Sequence, residues 1–253
     1  MDLCLILLFS FFLRLLFINR SASDMDFDVW HIRLSREGYC PGEDRGDCVI
    51  CGYRGYPPFP HQVVSLFPEK WTVPVSRLLN IGYELGSICL VYWIASRLFT
   101  GEQHLPAVWS ATLLFATCPV LFPVLSARLA ACGGRTMGLL LCIVFFLFLW
   151  NGLQGTSTSL AGCVIIGWII ILSSQFAMQF MTGSCLILAL LIPSYLPVVI
   201  LLLTFATGCI LPGFGIRQLL TRKMAHYRWY MRNSQSGSTT RNRNSLTYVY
   251  RLL

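Results

Sequence analysis

The chain has 253 residues, of which 55% are hydrophobic and only 12% are charged, and its mean hydropathy is +0.64. Soluble domains carry about 25% charged residues, so this composition excludes an ordinary soluble domain and indicates an integral membrane protein. The net charge of +8 does not indicate nucleic-acid binding, because eight Lys and Arg, with no acid, follow the last apolar segment in residues 216–253. A basic segment in that position is typical of a cytoplasmic anchor beside anionic lipid.

Six apolar segments predict an all-α, polytopic membrane protein with about six transmembrane helices. The first and fourth segments are short for a full crossing, which needs about 20 residues. The sixth contains Pro193 and Pro197, which leaves open one kinked span or a broken, re-entrant pair. The segments lie near 3–18, 74–99, 106–126, 136–151, 159–181 and 184–211.

The distribution of Lys and Arg predicts the orientation of these spans. The basic tail 216–253 is expected in the cytoplasm, and it is expected to be partly disordered because 233–244 is polar and of low complexity. With six spans the N-terminus lies on that side too, so 19–72 becomes a large first extracytoplasmic loop. The predicted organisation is a multi-pass transmembrane domain, 1–215, followed by the cytoplasmic tail.

Acidic residues are concentrated in the loop 19–72, which contains eight of the eleven Asp and Glu. Asp24, Asp26 and Asp28 follow the first apolar segment within five residues, and Ser23 with Asp26 fits the capping box that begins a helix. A carboxylate here could accept the proton of an attacking hydroxyl, or hold a divalent cation that binds a phosphate. The alternative is that these acids only cap a helix and stay solvated.

Two other parts of the loop carry polar chemistry. Residues 55–61 contain adjacent prolines that favour extended backbone, and His61 can donate or accept a proton near neutral pH. An exposed turn is the plainer interpretation of this stretch. Cys40, Cys48 and Cys51 leave three possibilities open: a disulfide with one Cys left over, free thiols, or a zinc site completed by His61. We assign no metal site to them.

Charged residues in or beside the later apolar segments are informative because they are costly in a bilayer. Arg77 and Glu84 are seven residues apart on one predicted helix face, where we expect them to pair with each other or with loop groups. Arg128 and Arg135 flank the connection between the third and fourth segments, where they suit a lipid phosphate; snorkelling to the interface is the alternative. Glu84 is the only acid within a predicted span, which disfavours a transporter.

These polar groups are expected to converge at the outer membrane face. Carboxylates, a His and several Arg on one side are the groups that transfer from a phosphate-linked lipid donor requires. The set comprises the acidic loop, Arg77, the connection 128–135, Gln175 and Gln179.

The order of motifs resembles the N-terminal half of GT-C-type integral membrane glycosyltransferases, which use polyprenyl- or dolichyl-phosphate-linked sugars. The first span contains an Arg within FLRLLF (12–17), the loop opens with SDMDFD (23–28), and YPPFPH (56–61) is similar to that family's "YPPLFH"-like element. The resemblance covers about residues 1–180. Further similar stretches are 76–80, 115–119, 133–135 and 173–179.

The resemblance implies transfer of a sugar, with inversion, from a lipid-phosphate donor to an acceptor at the non-cytoplasmic face. Asp24 or Asp26, with Asp28 third, is then the expected catalytic base that deprotonates the acceptor hydroxyl. His61 is expected to orient the acceptor or the phosphate. The full set expected at the substrate is His61, Arg77, Arg128 and Arg135.

Members of that family are usually longer and have more spans, so the chain is expected to be a fragment, a truncated product, a partner-dependent subunit or an inactive relative. The alternative function is a non-catalytic membrane scaffold or accessory subunit. The expected partners are a lipid-phosphate-linked sugar donor, membrane lipids and, for the alternative, a partner subunit. A divalent cation is the candidate cofactor.

Overall fold

The fold is α-helical throughout the described residues, which are 3–18, 32, 59–99, 104–117, 134–210, 216–217, 219–221 and 224 of a computed structural model. No strand occurs in these ranges, which confirms the all-α class. A short 3-10 turn, Glu69–Trp71, precedes the third helix. The helices are α1 (Leu3–Ile18), α2 (Phe59–Ser65), α3 (Thr72–Leu98), α4 (His104–Thr117), α5 (Gly134–Leu153), α6 (Ser157–Ser173), α7 (Gln175–Leu191) and α8 (Leu196–Ile210).

Two of these helices are long and apolar enough to cross a membrane: the stretch Glu69–Leu98, which contains α3, and α5. Helices α6, α7 and α8 are also apolar but have only 15 to 17 residues. Leu5, Leu8 and Phe9 on α1 each expose more than half of their surface. Apolar side chains exposed in a continuous band are typical of a surface that faces lipid.

The C-terminal apolar sequence is divided differently from the prediction. Instead of the two segments 159–181 and 184–211, it forms α6, α7 and α8. Ser174 is extended between α6 and α7, and its hydroxyl accepts a hydrogen bond from the Ala177 N–H, so that it caps the start of α7. Pro193 lies in the break before α8, which agrees with the broken-pair alternative.

Successive long helices of the described chain alternate in direction. In the pair α1 and α3, Ile6 packs with Ile88 while Arg14 reaches Glu84, so these two helices are antiparallel. Contacts along the other pairs show in the same way that α5 is parallel to α3 and α7, and antiparallel to α6. Helix α8 is parallel to α6.

These directions bring the basic segment after α8 to the end of the bundle where α2 lies. Ile216 packs near Gly208 and Trp168, and the C-terminal end of α6 meets Gly134 at the start of α5. If all the long helices cross the membrane, the loop that ends in α2 and the basic tail lie on the same side. The predicted combination of an outer loop and a cytoplasmic tail is incompatible with this arrangement, because seven long helices in the described ranges replace six segments.

The main apolar core is formed by α5 to α8. The beginning of the basic segment belongs to it, since Ile216 and Leu219 are almost completely buried. This segment is therefore packed on the bundle at its start. The buried members of the core are Cys142, Phe145, Leu149, Cys163, Ile170, Ile171, Ala177, Met181, Cys185, Ile200, Leu201, Ile216 and Leu219.

Candidate functional site

The short helix α2 lies across the ends of three longer helices, α3, α5 and α6. Pro60 in its first turn needs no hydrogen-bond partner for a missing N–H. Gly134 makes the close approach possible, because any side chain there would overlap the Ser173 carbonyl and contact Pro60. We call this region the α2 end; it comprises α2, the first turns of α3, α5 and α7, and the last turn of α6.

His61 is buried at the α2 end, with an exposed fraction of 1%. The interpretation of 55–61 as an exposed turn is therefore wrong for its last residues, because Phe59 begins a helix and His61 packs inside the junction. The apolar neighbour Val64 is buried one turn later and contacts Leu79 of α3. Burial of an imidazole among helix ends holds the ring in a fixed position.

Arg77 lies on the second turn of α3, two residues before Leu79, which packs on α2. Its Nε atom is buried and has no hydrogen-bond partner among the described residues. A buried guanidinium N–H normally has an acceptor, so an unpartnered one indicates that an anionic or polar ligand fits beside it. The substrate-binding prediction for Arg77 is compatible with this geometry.

The predicted pairing of Arg77 with Glu84 is wrong, because Glu84 is paired with Arg14 of α1. The Nε and Nη2 atoms of Arg14 both lie 2.8 Å from the same carboxylate oxygen of Glu84, and Nη1 donates to the Ser10 carbonyl at 3.1 Å. The sequence contained a signal for this contact: an Arg and a Glu within apolar helices are each costly unless they find an opposite charge.

Arg135 lies in the first turn of α5 and is exposed at the α2 end. Its guanidinium carbon is 4.2 Å from the ring centroid of Phe176, which is in the first turn of α7. A guanidinium stacked on a ring keeps its N–H edges available for an anion. Gln175 and Gln179 were predicted at the outer end of a span; they lie instead in the first turns of α7, at this same end of the bundle.

A hydrogen bond between α3 and α5 holds the two arginine-bearing helices together. Thr136 donates to the Asn80 side-chain oxygen at 2.8 Å, and both residues are buried. Asn80 is one turn after Arg77, and Thr136 is next to Arg135. Sequence reasoning missed this pair, although a lone Asn and a lone Thr within apolar segments were a detectable signal.

Part of the predicted site lies outside the described residues, and Ile32 is the one described residue between 19 and 58. Ile32 is completely buried against Val64 and Leu79, and so belongs to the α2 end. In the described part of the chain, no group of three or more His, Cys, Asp or Glu could hold a metal ion. The predicted residues outside are Asp24, Asp26, Asp28, Arg128, Cys40, Cys48 and Cys51.

No known family profile, curated protein or solved structure matches the chain. The functional argument therefore depends on its own residues and their geometry.

Proposed function

We propose that the chain is a GT-C-like membrane glycosyltransferase, or a part of one, and that it transfers a sugar from a lipid-phosphate donor to an acceptor at the α2 end. One observation carries the proposal. His61, Arg77 and Arg135 are far apart in the sequence, yet they lie together at one end of an apolar helical bundle. Cations gathered where polar sequence meets apolar helices suit the phosphate of a lipid whose tail lies along the bundle.

The cations would act on the leaving group. When the bond between the anomeric carbon and the phosphate oxygen breaks, negative charge grows on the phosphate. The free Nε–H of Arg77 and the outward N–H edges of Arg135 can donate to phosphate oxygens. Donors that are already fixed in place stabilise the charge more strongly in the transition state than in the bound donor.

The base would come from the acid-rich segment. Ile32 is fixed at the α2 end, and Asp28 precedes it by four residues. Four residues extend at most about 14 Å, so the Asp28 backbone stays within that distance of Ile32. In the proposed reaction a carboxylate takes the proton of the acceptor hydroxyl, the hydroxyl oxygen attacks the anomeric carbon, and the lipid phosphate leaves.

A carboxylate series tests the reaction. Asp24→Asn, Asp26→Asn and Asp28→Asn are each assayed for sugar transfer, with Asp47→Asn as the loop control. Loss of the base should lower the rate by about 100-fold or more in at least one variant, while the control keeps the wild-type rate. If all three transfer normally, the loop is not catalytic. Failure to bind polyprenyl phosphate together with co-purification of a larger membrane enzyme would then favour the accessory-subunit alternative.

The proposal also requires the α2 end to face away from the cytoplasm, whereas the Lys and Arg of the segment after α8 favour the opposite orientation. Sidedness labelling decides between the two. Cys40 and Cys48, after mild reduction, should react with a membrane-impermeant maleimide from the non-cytoplasmic side. Thr156→Cys, in the turn between α5 and α6 at the other end of the bundle, should react only from the cytoplasm. The reverse pattern would refute a non-cytoplasmic transferase.

A further inference from the structure

We propose that the ion pair between Arg14 and Glu84 is the contact that attaches α1 to the bundle, and that Arg14 is thereby a positioning residue for the acid-rich segment that follows α1. The first part stands on geometry alone. The second rests on the proposed function, since the segment matters for catalysis only if its carboxylates act as the base.

Helix α1 has a narrow inner face. Ile6, Ser10 and Arg14, spaced four residues apart, are its buried side chains among those described, and the opposite face is widely exposed. In lipid an apolar side chain gains little by exchanging lipid contacts for helix contacts, so apolar residues alone attach a helix weakly. The polar end of this inner face is therefore the specific part of the contact.

The pair is closed on itself. The side chains of Arg14 and Glu84 are only 2% and 7% exposed, and two guanidinium nitrogens share one carboxylate oxygen. A third nitrogen binds the Ser10 carbonyl within α1. Removing either partner would leave a charge in apolar surroundings without its counter-charge, which is strongly unfavourable. The unpaired helix can avoid this by leaving the bundle.

The position of the pair connects it to the site. Arg14 is one turn before the end of α1 at Ile18, and the first loop carboxylate, Asp24, is ten residues after Arg14. Glu84 lies on α3, the helix that also carries Arg77. The pair therefore fixes the end of the helix from which the acids emerge relative to the helix that carries a proposed phosphate ligand.

Cysteine protection in the full-length protein tests the attachment. Ile6→Cys introduces a thiol at a position that is 1% exposed on the inner face of α1, and its alkylation rate reports undocking. The native thiols of Cys163 and Cys185 are completely buried and report, in the same sample, on the core of α5 to α8. Mass spectrometry follows all three sites during exposure to a small maleimide in detergent micelles.

Arg14→Leu and Glu84→Gln should each raise the alkylation rate at the Ile6→Cys position by about tenfold or more, because local opening becomes easier while the core stays closed. The exchange of both charges, Arg14→Glu with Glu84→Arg, should restore part of the protection. Arg97→Leu removes an exposed Arg of α3 that stacks on Trp93, and it should have no effect.

Two outcomes would overturn the inference. The first is wild-type protection at the Ile6→Cys position in both single variants. The second is an equal loss of protection at Cys163 and Cys185, because the pair would then support the whole fold and not α1. Neither readout depends on sugar transfer, so failure of the enzymatic proposal leaves the attachment result unchanged. If α1 undocks and the wild-type protein is active, the Arg14 variant should lose activity, and the charge-exchanged variant should recover part of it.

Discussion

The two halves of the bundle are held together by different kinds of contact. Helices α5 to α8 share one continuous apolar core. Helices α1, α3 and α4 meet in small apolar clusters, of which the largest has Ile6, Ile88 and Ala116 as its buried members, and in polar contacts such as the Arg14–Glu84 pair. The first half carries the motifs that predict chemistry, and the second half carries most of the packing. A rigid apolar scaffold with a polar, selectively attached partner is a reasonable arrangement for positioning a site.

Close approach of backbones explains why the second half packs so tightly. At Gly138 an added Cβ would lie 2.6 Å from the Ala177 Cβ, and at Gly167 it would lie 2.6 Å from a Thr204 methyl carbon. Small residues at helix contacts are the usual means of association between apolar helices, since they bring many atoms into van der Waals contact. In the first half, Gly82 has no neighbour within 4 Å that a Cβ would meet.

The largest expected effect is at Gly134. Gly134→Val would drive a side chain into the Ser173 carbonyl, and backbone atoms cannot move aside as a flexible side chain can. We expect a loss of about 3 kcal/mol or more in the free energy of unfolding, together with displacement of α2. Unfolding in detergent, followed by circular dichroism during denaturant titration, measures it.

Gly82→Val is the matched control for the substitution at Gly134, because its Cβ enters open space in an α-helix. The change in its free energy of unfolding should stay within about 0.5 kcal/mol, as at other unobstructed positions. Equal destabilisation by both substitutions would contradict the contrast between the two halves.

The next effect concerns ligand binding at Arg77. Arg77→Gln removes the charge and the unpartnered Nε–H, so the affinity for polyprenyl phosphate should fall by about 2 kcal/mol, the usual contribution of a hydrogen bond to a charged group. Titration of the purified protein with a short-chain polyprenyl phosphate measures the dissociation constant. The free alcohol of the same chain should bind the wild type and the variant equally; a change for both ligands would indicate loss of structure.

A smaller effect is expected at the hydrogen bond that joins the halves. Thr136→Val keeps the shape of the side chain but removes the donor to Asn80, so the free energy of unfolding should fall by about 1 kcal/mol. A double-mutant cycle with Asn80→Ala isolates the pair, because the second substitution should cost little once the first is present. Independent, additive effects would show that the hydrogen bond does not couple α3 to α5.

Much of the fold was predictable from the sequence because apolar run length reports on helices directly. The predicted segments near 3–18, 74–99 and 136–151 agree with α1, α3 and α5 to within a few residues. The sequence 159–211 was divided wrongly because Ser174 caps a helix within an otherwise apolar stretch, and a single hydroxyl barely changes hydropathy. One additional helix then reversed the predicted side of everything that follows.

The site was predictable in its components and less so in their contacts. The gathering of His61, Arg77 and Arg135 at one end follows from helix order, which apolar periods reveal. The partner of Glu84 does not, because Arg14 and Arg77 are both cations on suitable helices, and only the packing of α1 against α3 decides between them. Charge pairing across helices depends on rotation about the helix axis, which an apolar segment without a polar stripe does not specify.

The smallest expected effect is at Arg135, and it separates a phosphate ligand from a structural cation. The guanidinium lies over the exposed ring of Phe176 at 4.2 Å, a contact that contributes about 0.5–1 kcal/mol at exposed sites. Phe176→Leu should therefore lower stability by that amount and lower phosphate affinity slightly, because Arg135 loses its support but keeps its charge. Arg135→Gln should lower affinity more than Phe176→Leu while lowering stability equally. If the two substitutions change affinity to the same extent, stacking is the main role of Arg135; if only stability changes, Arg135 is not a phosphate ligand and Arg77 alone carries the proposed interaction in the described part of the site.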